Sequence, residues 1–423
     1  MPPEELEIIT ALEDRSSHTV GEVTDSVFAG TQTSANDVFL VTPTEADKVN
    51  PEHKGETVNV VPKGEQKEYE IETDTLRPWL QGRDVERWRG EWSGQHVIVP
   101  YSIERDADGR LTADLFEQEY LESELPLTWE YLQEHRTELE SREGGRFADR
   151  DDWYDFGYPK SMERFENPKL IGAEIASEAT FMLDEIGSWY FKAAYGVQLE
   201  PQYQDQTEIF AGLLNSNALD FYLKHFTSLK MGGYYKYTTN YLEPLPISWE
   251  NENQTAQIKD SITEITDILD LNTKTSRFPE AYLGDYDGEL DYITYEWQTR
   301  RYPVNAEVQG NVDGEFTVQA GRSDVITDAA MHSSDREARK QRAEYVHAAV
   351  DGRNVKSGEE MTIPIPRSDD GVGELLDQLK TDRETVEETD IGELEADIDA
   401  AVYELFDLTE DEQEVIEEYL ELF

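Results

Sequence analysis

Between Ile209 and Leu242 the chain carries Lys224, Lys230, Lys236, His225 and five tyrosines, but a single acid, Asp220. The protein has 93 Asp+Glu against 37 Lys+Arg, a formal net charge of −56, so an average window of this length would hold seven or eight acids. Cations and hydroxyls cleared of carboxylates are what an anion needs, because nothing nearby repels it. Burial is the other cause of such a gap, since charges are rare in cores. Leu213, Leu214, Phe221 and Phe226 are core-like, so burial accounts for Ile209–Phe226. It accounts poorly for Lys230-Met231-Gly232-Gly233-Tyr234-Tyr235-Lys236. There a glycine pair lets backbone approach a phosphate closely, while Tyr234, Tyr235 and Tyr237 have an equal claim as residues that pack a sheet.

Other polar groups stand out against the acidic background. Lys160 and Arg164 lie between Tyr158 and Phe165, with Glu163 and Glu166 at hand as ion-pair partners. Gln32, Thr33 and Asn36 follow Gly30 and serve either as hydrogen-bonding contacts or as turn residues. Arg77, Arg83, Arg87 and Arg89 are dense for this chain; Asp84 is placed to pair with one, and Trp79 and Trp88 to stack on others. Arg336, Arg339, Lys340 and Arg342 fall on one helical face suited to phosphates or an acidic partner.

Catalytic patterns are missing. There is no phosphate-cradling G-x-x-x-x-G-K-[ST], no G-x-G-x-x-G opening a helix, no H-E-x-x-H and no G-x-S-x-G elbow. Cysteine is absent, which removes disulfides, thiolate metal sites and a thiol nucleophile. With 93 acids, paired carboxylates arise by chance and carry no signal. Glu65-Gln66-Lys67 spells E-x-K but has no aspartate partner in view.

These residues must be held by a mixed set of elements. A helix is expected over residues 3–14, with Leu6, Ile9 and Leu12 on one face. Strands are expected at Val38–Val41, Thr57–Val61, Glu68–Ile71, Val97–Tyr101, Leu170–Ile175 and Thr180–Asp184. Leu76–Trp88 reads as a short helix, a glycine turn and a strand entry. Tyr120–Arg142 and Gln206–Phe226 read as helices, and Tyr234–Tyr241 as strand-like. Asn305–Gln319 reads as a hairpin around Asp313-Gly314. Residues 369–423 hold 22 acids against Lys380 and Arg383, yet Leu394, Ile398, Val402 and Leu405 keep helical spacing. Paired helices with an acidic outer face are expected there. The class is α+β.

The 11% aromatic content argues against disorder despite 37% hydrophobic residues. Acids spread along the whole chain read as a salt-adapted protein, since molar salt shortens the Debye length to about 3 Å and screens self-repulsion; the rival reading is a mesophilic acidic protein. The first residues lack the basic and apolar regions of a signal peptide, and no apolar run is long enough to span a bilayer. The expected location is cytoplasmic.

The order of short motifs resembles the TaqI-like specificity domain of adenine-specific DNA methyltransferases and fused restriction–modification enzymes. Phe28-Ala29-Gly30-Thr31-Gln32-Thr33-Ser34-Ala35-Asn36-Asp37-Val38-Phe39 is similar to its entry and Leu76–Trp88 to its signature. Trp129-Glu130-Tyr131-Leu132, Trp153-Tyr154, Asn167-Pro168-Lys169-Leu170-Ile171, Leu213-Leu214-Asn215-Ser216, Gly232–Tyr237 and Leu242-Glu243-Pro244-Leu245-Pro246-Ile247 follow in order. Ile398–Thr409 is similar to a helix that closes many fused enzymes of this type. The resemblance implies a linking helix over 1–18, a mixed-sheet target-recognition domain over 19–250, and a mainly helical C-terminal region over 251–423 with a small hairpin. It implies duplex DNA as partner, with Gln32, Thr33, Asn36, Arg83, Lys160, Arg164, Lys230, Gly232, Gly233, Tyr234, Tyr235, Lys236 and Tyr237 as the DNA-facing set. The [DNS]-P-P-[YFW] motif and the S-adenosylmethionine loop of such enzymes are not in this chain. The expectation is therefore sequence-specific DNA binding for adenine-N6 methylation, with the methyl donor and the catalysis on a separate segment preceding Met1, and no catalytic, cofactor or metal residue here. The other readings are an acidic DNA mimic that inhibits DNA-binding enzymes, and a methyltransferase or nuclease acting alone.

Overall fold

The computed structural model describes residues 1–44, 55–107, 109–230 and 232–422. They form two compact units, Met1–Thr263 with Gly392–Phe423, and Glu264–Ile391. The fold is α+β, with mixed sheets and a helical C-terminal region. Division of the sequence at 18/19 and 250/251 follows composition and motif order. The units follow packing, and the last acidic helices count with the first of them.

Two sheets dominate the first unit. A four-stranded sheet runs Phe181–Asp184, Lys169–Ala173, Ala194–Leu199, Thr24–Ala29, every neighbour antiparallel. A six-stranded sheet runs Tyr190–Lys192, Leu76–Gln81, His96–Ile98, Leu40–Pro43, Thr57–Pro62, Tyr69–Glu72, parallel at its first pair and antiparallel elsewhere. One core serves both sheets, containing Phe28, Trp79, Leu80, Val97, Ile171 and Phe191. The chain passes from one sheet to the other at Ala193, whose φ is 54°. Two glycines allow this crossing. A Cβ on Gly82 would overlap the Ala193 carbonyl oxygen, and one on Gly30 would overlap that of Phe191.

Leu76–Gln81 is a strand followed by a 3-10 turn, Gly82–Asp84, in place of the expected short helix. Its neighbours decide this: it pairs with His96–Ile98 on one side and Tyr190–Lys192 on the other, and these pairings outweigh a local turn preference. The expected Tyr120–Arg142 helix divides into Gln118–Glu124, Pro126–Glu134 and Arg136–Gly145. Pro126 opens the second of these, having no N–H to offer an ongoing helix. Val38 and Phe39 belong to a helical turn, Asn36–Phe39, that precedes the strand Leu40–Pro43.

Helices pack beside the sheets. Pro3–Arg15 buries Ile8, Ile9 and Leu12. The expected Gln206–Phe226 helix is two helices, Thr207–Asn215 and Asn217–Phe226. Ser216 separates them with extended backbone (ψ 150°) and caps the second by accepting from Leu219 N at 3.4 Å. Asn215 reaches out instead, its side chain bonding both Phe181 N (2.7 Å) and Phe181 O (2.8 Å). The closing helices Ile391–Leu405 and Glu410–Leu422 carry the acidic tail. Tyr419 stacks on His225 at 4.4 Å, and Asp399 accepts from Asn217 N at 2.7 Å.

The second unit has its own core, including Phe278, Trp297, Tyr345, Val346 and Ile363. Leu290–Glu296 pairs with Glu360–Pro366. The expected hairpin is present as Glu307–Gly310 against Phe316–Ala320, extended by Asp324–Ile326. Helices Arg336–Val350 and Asp369–Glu388 pack on them. Among the described residues no helix is long and apolar enough to cross a membrane.

Candidate nucleic-acid interface

Backbone hydrogen bonds tie several loops of the first unit into one continuous seam. Tyr158 N donates to Gln32 O (2.9 Å) and Gly157 N to Thr33 O (3.0 Å). Thr31 N reaches Phe191 O (3.1 Å) and Gly30 N reaches Ala194 O (3.0 Å). Glu174 N then meets Ala193 O (3.0 Å), and Tyr237 N meets Glu174 O (2.9 Å). Ile175 pairs with Lys236, and Lys230 N closes a hairpin on Tyr234 O at 2.7 Å. Arg83 joins through Gly82, which lies against Ala193.

The seam carries Gln32, Lys160, Lys192, Lys230 and Lys236, and Arg83 beside them. Gln32, Arg83, Lys160 and Lys230 are exposed, while Lys192 and Lys236 are half-buried. Among the described residues Lys160, Lys192, Lys230 and Lys236 make no salt bridge, although the protein has far more acids than cations. Among the described residues Arg83 pairs with Asp84 alone, at 3.5 Å, its own side chain 77% exposed. Exposed pairs of that kind contribute little, so its guanidinium remains available. Glu174 lies on this line, and Glu143 borders it, accepting from Tyr158 Oη at 3.2 Å.

The hairpin at one end is built by Gly232 (φ 92°) and Gly233 (φ 81°), conformations that L side chains rarely adopt. Met231 lies outside the described residues. Strand structure here is confined to Tyr235–Lys236, and Thr239–Leu242 is helical, so the expected Tyr234–Tyr241 strand is short. Tyr234 is exposed. Tyr235 and Tyr237 are buried (2% and 1%), and Tyr237 Oη donates to Asp220 at 2.6 Å. They pack the unit and do not face solvent. Asp220 also pairs with buried Lys224 at 3.0 Å. Burial still pushes the Asp220 carboxyl above its ordinary range, against the pull of Lys224 and Tyr237. The one acid of the acid-poor window is thus a core residue.

Three other expected contacts take structural roles or lie elsewhere. Thr33 is fully buried and its Oγ1 bonds Asn36 Oδ1 (2.8 Å) and Ala35 N (3.2 Å), forming the turn. Arg164 pairs with Asp25 and with Glu163. Asp25 is near the start of strand Thr24–Ala29, so Arg164 stands some 15 Å from the Gly30 end. It does not join the seam.

The remaining arginine clusters are largely internal. Arg77 pairs with Glu166 at 2.8 Å, and Arg87 bonds Ala179 O (3.0 Å) and pairs with Glu178 (3.2 Å). Trp88 Nε1 donates to Glu395 at 2.7 Å, so the Leu76–Trp88 signature is clasped by a closing helix. In the second unit the basic face of Arg336–Val350 is engaged in part, Arg336 being exposed. Arg342 is buried on Asp369 (2.7 Å) and three carbonyls, Arg339 bonds Gly314 O and Ser333 O, and Lys340 pairs with Glu344 at 3.1 Å.

Lys192 does not stand out by its immediate sequence. The signal that finds it is a second gap: Ile186–Leu199 contains no acid, where the chain average predicts three. Arg146 is equally inconspicuous in sequence. It lies over the rings of Phe147 (4.7 Å) and Tyr158 (5.2 Å) and bonds Gly157 O, bracing the Gln32–Tyr158 contact. Among the described residues no group of three or more acids or histidines is placed to hold a metal ion.

A search of curated proteins finds no match to this chain. Residues 77–247, which supply most of the seam, match the family model of the TaqI-like C-terminal specificity domain.

Proposed function

We propose that the first unit reads duplex DNA as the target-recognition part of a restriction–modification system, serving a site-specific adenine-N6 methyltransferase. S-adenosylmethionine and the methyl-transfer chemistry belong, in this reading, to a separate catalytic segment that works with this chain in a salt-rich cytoplasm. The observation that carries it is the seam. A strongly acidic protein leaves four lysines without ion pairs, among the described residues, along one hydrogen-bonded line beside and within the segment that matches a specificity domain. Lysines of this kind position a phosphate backbone, and Gln32 supplies both a donor and an acceptor for base edges.

The test is selection of the full chain against a randomised duplex library, followed by a salt series. A defined sequence is expected to be enriched. Lys160→Ala, Lys230→Ala and Lys236→Ala should each weaken binding across all sequences and lower the log–log salt slope by about 0.9 for each phosphate that is no longer neutralised. Sequence-blind binding that is unchanged in the triple variant sinks the reading. Labelled methyl transfer by the chain alone should be absent.

A further inference from the structure

The hairpin of the seam has an apolar tip. Tyr234 is 46% exposed, Leu229 56% and Ile175 49%. Ile175 stands directly opposite Lys236 across a two-residue ladder, and Leu229 precedes Lys230. Exposed apolar groups of this size, contiguous with free cations, mark contact surfaces. The Tyr234 ring lies against the turn. A Cβ on Gly232 would lie 3.2 Å from Cε2 and 3.3 Å from Cδ2 of Tyr234, so the ring rests against the glycine. Gly232 therefore serves the turn and also leaves the space that Tyr234 occupies.

Taking the DNA-reading assignment as given, we infer that Tyr234, flanked by Leu229 and Ile175, is a stacking surface for bases at an opened or unstacked step of the bound duplex. Charge complementarity selects this occupant. Lys230 and Lys236 on either side are cations without acid partners among the described residues, matched to the phosphates that flank such a step. An aromatic ring stacks on any base face, and its contribution releases no counterions.

Salt dependence distinguishes stacking on Tyr234 from phosphate contact by the lysines. Full-length protein is titrated with its selected duplex at several salt concentrations. Tyr234→Ala is expected to lose about tenfold in affinity at every salt concentration with the slope unchanged. Tyr234→Phe is expected to keep most of the affinity, because the ring remains. Thermal melts of both variants should match the parent, since the residue is exposed. Full affinity in Tyr234→Ala, with a reduced slope in Lys230→Ala/Lys236→Ala, overturns the stacking role and leaves DNA reading intact. A lower slope in Tyr234→Ala also overturns it, because the residue would then act by placing the lysines. Absence of any effect from either set of variants overturns both.

Discussion

At the scale of single residues, the clearest energetic commitment is Lys169 with Asp184. Both are buried, at 1% and 3% exposure, and they form an ion pair inside the four-stranded sheet. Lys169 Nζ also donates to Phe165 O at 2.6 Å, and Asp184 accepts from Ser188 N (2.9 Å) and Trp189 N (3.1 Å). Burial pulls the Lys169 ammonium below its ordinary range, with Asp184 opposing. Removing one partner leaves an uncompensated buried charge. Lys169→Met should cost about 3–5 kcal/mol in urea unfolding, whereas Lys169→Met with Asp184→Leu should recover part of that loss. A single variant that costs under about 1 kcal/mol would mean that Asp184 is satisfied by its backbone donors alone. The sequence marks Asn167-Pro168-Lys169-Leu170-Ile171 as a motif but does not distinguish a structural lysine from one that faces a ligand. That distinction needs the fifteen-residue return of the chain to Asp184, which no local pattern reports.

At the scale of elements, Asp399 joins the acidic tail to the helix that leads into the seam. It accepts the N–H of Asn217, the first residue of Asn217–Phe226, and so satisfies a donor that the helix itself cannot. Burial pushes its carboxyl up to about 7, although the Asn217 N–H and Arg87 pull it down. The folded value thus lies above the usual aspartate value of about 3.9. The group's contribution to stability is full below that unfolded value and is lost as pH rises through about 7. Asp399→Asn retains an acceptor without the charge. It should melt several degrees higher than the parent at pH 8, with the advantage shrinking at pH 5. An advantage independent of pH would show that the Asp399 carboxyl holds its proton equally well folded and unfolded, as a well-solvated group does. The helical spacing of Ile398 and Val402 is legible in the sequence, as are the Asn305–Gln319 hairpin and the strands Thr57–Pro62 and Phe181–Asp184. In each of these, local pattern and tertiary pairing agree. Leu76–Gln81 is not legible locally, because its strand character comes from two distant partners. The break at Ser216 is hidden because apolar spacing runs on through it. The seam is legible in part for a related reason. Acid depletion flags both buried and ligand-facing stretches, and only burial separates Tyr235 and Tyr237 from Lys230 and Tyr234.

At the scale of the molecule, salt acts on stability and on binding with opposite signs. A net charge of −56 repels itself in the compact state, and raising salt from about 0.1 to about 1 M shortens the Debye length from about 10 to about 3 Å. The melting temperature should therefore climb with KCl over that range. DNA affinity should fall over the same range, by about eightfold for each phosphate contact that releases a counterion. With Lys160, Lys192, Lys230 and Lys236 all engaged, the backbone contribution drops by some three to four orders of magnitude. Wherever the fold is most stable, lysines alone cannot hold the duplex. Binding that survives at about 1 M must rest on interactions that salt does not weaken, which on this surface are Gln32 and the Tyr234 tip. The residual affinity of the full chain in about 1 M KCl should therefore fall about tenfold in Tyr234→Ala and change little in Lys230→Ala/Lys236→Ala, the reverse of their ranking at about 0.1 M. An identical ranking at both concentrations would mean that charge governs recognition throughout. A melting temperature that is flat or falling with KCl would mean that the acids do not repel one another enough to matter.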